Sequence, residues 1–166
     1  MKKIVLIGSG GAGKSTLARQ LSEKLNIEVF HLDALHWKPN WEMTSREEQE
    51  ETQHSLVEKD EWIIDGHYGG TLPIRLQACD TIIYLDMPRS VCVYRAIKRY
   101  RMYRHKTRPD MHEGCEEKLD PAFLKWIWDF QKKKRPAILE MIDRYSEGRQ
   151  VFILKSKREV EAFMAK

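Results

Sequence analysis

The chain has 166 residues, 42% hydrophobic and 33% charged, with 29 Lys and Arg against 25 Asp and Glu for a formal net charge of +4. That length suits one domain over residues 1–166, and the composition excludes a disordered, collagenous or membrane-spanning chain. Three cysteines without CxxC spacing exclude a disulfide framework, and an N-terminus that runs straight into an apolar strand argues against a signal peptide; both point to the cytoplasm and away from a membrane partner.

The elements follow in alternation. Lys3–Ile7 reads as a first strand, and Gly8-Ser9-Gly10-Gly11-Ala12-Gly13-Lys14-Ser15 follows it with the spacing G-x-x-x-x-G-K-[ST] of a phosphate-binding loop. Its glycines let successive backbone N–H groups turn inward on phosphate oxygens, and Lys14 supplies a charge for the β- and γ-phosphates. The Ser15 hydroxyl is placed to reach Mg²⁺, while Thr16 extends the first turn of a helix, expected from about Lys14 to Leu25, whose positive end faces the anion. A second strand is expected over Glu28–Leu32, ending at Asp33 among His31, His36, Trp37 and Trp41. Thr44–Glu58 has helical spacing with Thr44 or Ser45 as N-cap, and Trp62–Ile64 is a third strand that stops at Asp65-Gly66. A short helix at Leu72–Cys79 leads to a fourth strand, Thr81–Leu85, ending at Asp86.

A long helix after Pro88, read as a first-turn proline, runs to about Tyr103 and carries Arg95 and Arg99 on one face. The polar stretch His105–Asp120, with Pro109 and Gly114, interrupts the pattern before a helical Pro121–Tyr145 that breaks near Pro136. A fifth strand at Val151–Leu154 and a closing helix at Lys157–Met164 complete the chain. Alternating strands and helices predict an α/β fold, a parallel five-stranded sheet with helices on both faces in three layers.

A phosphate loop first and a polar interruption late make the whole chain resemble the adenylate-kinase-like P-loop kinases of small molecules. That resemblance implies a three-layer P-loop NTPase fold, a mobile lid over about 105–120, and ATP with Mg²⁺ as cofactors. It implies that Asp65 shares the metal with Ser15 and that Arg95 and Arg99 face the transferring phosphates. It also implies that Arg104 and Arg108 fold over them from the lid. Near the second strand such kinases bind the acceptor, which makes Asp33 the candidate for orienting a small-molecule or nucleotide hydroxyl. More narrowly, HLDALHW, WIIDGHYGGTL, IIYLDMPR and RPDMHEGCEEKLD resemble the bacterial DNA topology modulation (FlaR-type) proteins. Adenylate kinase carries Phe-Pro-Arg after its Asp-Gly pair where this chain has His67-Tyr68-Gly69, which argues against AMP as acceptor.

One rival reading starts from Lys98, Arg99, Arg101, Arg104, Lys106 and Arg108, a basic cluster suited to DNA as well as to polyphosphate. It would make the chain a nucleotide-dependent DNA-binding or regulatory protein, but no DNA-reading module is legible and the cluster lies where a lid meets phosphates. A GTPase switch is a poor fit, since no Asn-Lys-x-Asp guanine motif occurs and Asp65 is not followed by the spaced glycine of a switch loop. The acceptor and the oligomeric state stay open.

Overall fold

A computed structural model describes residues 1–166. Five parallel strands form the central sheet: β1 (Lys3–Gly8), β2 (Val29–His31), β5 (Trp62–Asp65), β6 (Thr81–Leu85) and β7 (Gln150–Leu154), in the order β2-β5-β1-β6-β7. The connecting helices are α1 (Lys14–Leu25), α2 (Leu32–His36), α3 (Arg46–Val57), α4 (Leu72–Ala78), α5 (Arg89–Tyr103), α6 (Pro121–Lys133), α7 (Arg135–Tyr145) and α8 (Lys157–Met164).

The strands sort their side chains by the two-residue period of a pleated chain. Ile4, Leu6, Ile63, Ile83 and Leu85 turn to one face and pack on Leu17 and Leu21 of α1, Cys92 and Ala96 of α5 and Ile127 of α6. Val5, Ile7, Ile64, Ile82 and Tyr84 turn to the other and meet Leu56 of α3, Leu72 and Leu76 of α4 and Ile138 and Ile142 of α7. Each fully buried aliphatic side chain here contributes about 1.5–3 kcal/mol relative to an exposed one. The result is the expected three-layer arrangement, and it brings the carboxyl ends of β1, β2 and β5 to one rim, where open α/β sheets bind ligands. No helix is long and apolar enough to cross a membrane.

Local differences from the sequence reading have identifiable causes. Asp33 does not end a strand: β2 stops at His31, and Asp33 lies in the first turn of α2. A hairpin then appears that the pattern does not disclose, β3 (Trp37–Lys38) against β4 (Glu42–Met43), joined by a tight turn at Pro39–Trp41. Its two-residue strands are too short to show a period, and Asn40 and Trp41 adopt positive φ of 61° and 59°, which sequence alone does not announce for tryptophan. Pro88 is the N-cap of α5 rather than a first-turn residue. Ser45 caps α3 by accepting from the Glu48 N–H at 3.1 Å, and the long C-terminal helix divides at Lys134, just before Pro136.

Candidate functional site

The loop between β1 and α1 is shaped by two left-handed glycines, Gly11 at φ 74° and Gly13 at φ 96°. Gly11 also lies so close to α5 that a Cβ built on it would stand 2.2 Å from the Cys92 carbonyl oxygen. Gly13 caps α1 without a side chain, and the first turn of α1 holds no acidic residue, so its N–H groups are left for an anion. Lys14 bends back and donates to the Ser9 carbonyl at 2.8 Å. Burial pulls the Lys14 ammonium below its ordinary value, while Asp65 and Asp33 oppose that shift.

Ser15, Asp65 and Asp110 converge beside it. The Ser15 hydroxyl lies 2.7 Å from Asp65 Oδ2 and 3.0 Å from Asp110 Oδ2. Asp65 Oδ2 also accepts from His31 Nδ1 at 2.7 Å, which puts that imidazole's hydrogen on Nδ1. Asp65 Oδ1 is buried without a partner. Burial pushes the Asp110 carboxyl up, yet Arg108 and the Ser15 hydroxyl outweigh it and hold the group below its ordinary value.

The arginines arrive from α5 and the segment after it. Arg95 donates to the Ala12 carbonyl at 3.1 Å and so touches the loop directly. Arg99 is paired with Glu117 at 3.2 Å, and Arg108 sits 2.8 Å from the other oxygen of the same carboxylate and 3.6 Å from Asp110. Burial lowers the Arg99 pKa, with the neighbouring Arg108 charge adding to the effect and Glu117 opposing it. Arg104 is exposed at the C-cap of α5 and does not line the cavity.

These groups surround one cavity of about 400 Å³. Gly10, Gly11, Gly13, Lys14, Ser15, Thr16, Asp33, Arg95, Arg99 and Arg108 line it with Lys98 of the basic cluster, as do Arg19, Asp110 and Phe123, which the sequence does not single out for a nucleotide site. Gly8, Ser9, Ala12 and Asp65 do not line it. Six basic side chains thus face two carboxylates across the space, an electrostatic bias toward a polyanion. Phe123 presses on the loop, since a Cβ on Gly10 would meet its ring at 2.7 Å, and it stacks on Trp126 with ring centroids 5.8 Å apart.

Opposite the loop, Asp33 Oδ1 accepts from the Tyr68 hydroxyl at 2.7 Å. Burial, reinforced by Asp33, raises the Tyr68 pKa and keeps that phenol protonated. The turn carrying Tyr68 is pinned from below by Arg75, a fully buried guanidinium that donates to the carbonyls of Gly66, His67 and Tyr68. Burial pushes the Arg75 pKa down to about 9. The aspartate that ends β6, Asp86, is occupied elsewhere: both its oxygens lie 3.0 Å from Arg135 Nε. The segment after α5 lines the cavity through Arg108, Pro109 and Asp110 and rests on the β3–β4 hairpin. The Asn40 N–H donates to the Gly114 carbonyl at 3.1 Å, Trp41 Nε1 to Glu116 at 3.1 Å, and the Cys115 thiol to Lys38 at 3.1 Å.

A glycine-lined loop at the head of a parallel sheet, with a basic cavity over it, defines a P-loop nucleotide-binding protein. Residues 4–118 match a family described as AAA domain, and the chain belongs to that family. It is 38% identical over 72 residues to a probable gluconokinase of Schizosaccharomyces pombe, covering 43% of this chain and 34% of that one. It is 35% identical over 101 residues to the shikimate kinase of Baumannia cicadellinicola, covering 51% and 58%. An uncharacterized protein of Bacillus subtilis, YqaC, is 26% identical over 130 residues, covering 75% of this chain and 70% of that one. The chain therefore spans from about a third to less than two thirds of the two kinases it matches. Among solved structures it superposes on the shikimate kinase of Acinetobacter baumannii in complex with shikimate at a TM-score of 0.61, 16% identical, covering 99% of this chain and 89% of that one. At that identity the likeness concerns the fold.

Proposed function

We propose that the chain is an ATP-dependent phosphotransferase that moves the γ-phosphate of ATP to the hydroxyl of a small-molecule or nucleotide acceptor. One observation carries this reading: the phosphate loop and Asp33 line the same basic cavity. The amides of Gly8, Ser9, Gly10, Gly11, Ala12, Gly13 and Thr16 cradle the phosphates, with Lys14 released from Ser9 to meet the β- and γ-oxygens. Ser15 and Asp65 fit a hard divalent cation, because a hydroxyl and a carboxylate with one orphaned buried oxygen are donors of the right chemistry. Mg²⁺ held by these two residues would supply neutralisation of charge on the β- and γ-phosphates.

Asp33 has one oxygen engaged by Tyr68 and the other open to an acceptor hydroxyl, which it orients for in-line attack. The acceptor oxygen forms its bond to phosphorus as the bond to the ADP oxygen breaks, and the hydroxyl proton passes to Asp33. Arg95 and Arg99 meet the charge spread over the equatorial oxygens, with planar guanidinium geometry suited to them. Residues 105–120 act as the lid of a single domain over 1–166, with Arg108 folding inward and Arg104 reaching the phosphates from the rim. The gluconokinase and shikimate kinase relatives favour a polyol or hydroxy-acid acceptor. Within the wider group we place the chain nearest the bacterial topology modulation proteins, on phrases such as HLDALHW and RPDMHEGCEEKLD, and in the cytoplasm, where its three free cysteines stay reduced.

An acceptor screen over polyols, hydroxy acids and nucleosides, scored by ADP release, tests the assignment. Turnover with one acceptor class that disappears in Lys14→Ala supports it. Absence of any nucleotide binding, together with salt-dependent DNA binding through Lys98 and Arg99, would replace it with a DNA-binding role.

A further inference from the structure

Asp110 has no part in the reaction just proposed, yet it reaches the loop from a segment 95 residues away in sequence. Its carboxylate is buried and accepts from the Ser15 hydroxyl at 3.0 Å, while Asp65 accepts from the same hydroxyl at 2.7 Å. A hydroxyl has one hydrogen and cannot satisfy two carboxylates at once. Two like charges are thus gathered on one donor, with Arg108 at 3.6 Å from Asp110 and Asp65 Oδ1 left without any partner in the interior. Such a pair is costly unless a positive group shares it. Hydrogen bonding within the chain does not reach Asp65 Oδ1, because His31 Nδ1 and the Ser15 hydroxyl both lie on Oδ2.

We infer that Asp110 is a protein oxygen of the divalent-cation position, delivered by the segment between α5 and α6, so that cation binding and seating of that segment are one event. The inference rests on the assignment of Ser15 and Asp65 to the cation. A nucleotide-bound Mg²⁺ takes one or two carboxylates with phosphate oxygens and water, so Asp65 and Asp110 complete that set without exceeding it. Arg108 and Glu117 then have a further part to play. They hold the segment at the depth where Asp110 meets Ser15, with Glu117 shared between Arg99 and Arg108.

Mn²⁺ serves as the probe, titrated by electron paramagnetic resonance into the full chain with a non-hydrolysable ATP analogue. Asp110→Asn should weaken Mn²⁺ binding by about tenfold to a hundredfold. Binding of the analogue in EDTA should change little, and Asp110→Glu should recover part of the loss. In the unmodified protein, Mn²⁺ should broaden the amide signals of Asp110 and Met111 as strongly as those around Ser15, a readout that needs no variant. Equal Mn²⁺ affinity in Asp110→Asn, or sharp Asp110 and Met111 signals beside broadened Ser15, overturns the inference while leaving the kinase assignment standing. Failure of the unmodified chain to bind the analogue in either condition removes both.

Discussion

Replacing Gly11 with alanine isolates how much of the phosphate loop is held by room rather than by backbone conformation. Two penalties apply at this position. A left-handed φ of 74° costs a residue with a Cβ about 1–2 kcal/mol. The new methyl would also stand 2.2 Å from the Cys92 carbonyl oxygen and 2.9 Å from its carbon, both backbone atoms of α5 that no rotamer change relieves. Loop and helix must part by about 1 Å, and forced expansion of a packed interior costs about 1–3 kcal/mol more. Gly148 provides the comparison, for its φ is 72° but nothing lies within 4 Å of the place a methyl would take. Gly148→Ala should therefore lose only about 1–2 kcal/mol and Gly11→Ala about 2–5 kcal/mol. Urea unfolding followed by the fluorescence of the five tryptophans reads this directly. With a slope of about 2 kcal/mol per molar, the Gly11→Ala midpoint should lie roughly 0.5–1.5 M below that of Gly148→Ala. Mg-ATP affinity should fall in the first variant alone. Coincident midpoints would refute the claim that contact with α5 shapes the loop.

Lys14→Ala should reduce Mg-ATP affinity by at least ~tenfold in calorimetry, and equal affinities would remove the phosphate-loop assignment. Arg99→Ala should lower turnover by ~10² while changing ATP affinity less, as befits a contact made mainly in the transition state; unchanged turnover with weakened DNA binding would favour the rival role. Burial, aided by the Arg75 charge, holds His36 neutral down to about pH 4, whereas the unfolded chain takes up that proton near 6.5. The unfolded state thus binds more protons in between, and stability should fall by about 3 kcal/mol as pH drops from 6.5 to 4, with a shallower fall in His36→Leu. Urea midpoints across that range check it, and identical slopes would count against it. Arg75→Met takes from the carbonyls of Gly66 and His67 the guanidinium that donates to them, while the Tyr68 carbonyl keeps Thr71 as its donor. Hydrogen exchange at 66–70 should accelerate in that variant, and unchanged protection there would deny Arg75 its hold on the turn.

What the sequence discloses follows the range of the interactions involved. The strands of the sheet, the bounds of α1 and the cap at Ser45 depend on neighbours within a few residues, and period and motif expose them. Long-range partners leave no such trace. Asp110 is a polar residue in a polar stretch until Ser15 appears beside it, and Arg75 reads as an ordinary surface charge on a short helix, although it is wholly buried. Asp33 is legible as a site candidate from its place after an apolar run, but its setting in a helical turn, under the Tyr68 hydroxyl, comes from a contact 35 residues away. Arg95 and Arg99 share a helix face, as their spacing predicts, yet only one of them touches the loop; the other is claimed by Glu117. The aspartate after β6 stands where a strand ends, and its commitment to Arg135, 49 residues away, is visible only in the packing.

The hairpin at Trp37–Met43 and the stretch around Gly114 are joined by side-chain bonds between residues 75 and 77 positions apart and by the backbone bond from Asn40 to Gly114. Pro39 fills the space where Gly114 would carry a side chain, and Lys118 lies over the Trp41 ring at 5.4 Å. Segments bound in this way lose the freedom to drift separately. An insertion in the hairpin lifts Pro39, Asn40 and Trp41 off their partners together, and one near Gly114 does the same from the other side. Length changes in this fold should therefore arise in pairs, matched across the contact between the two segments. A chimera that exchanges one segment without its counterpart inherits two surfaces that no longer fit each other.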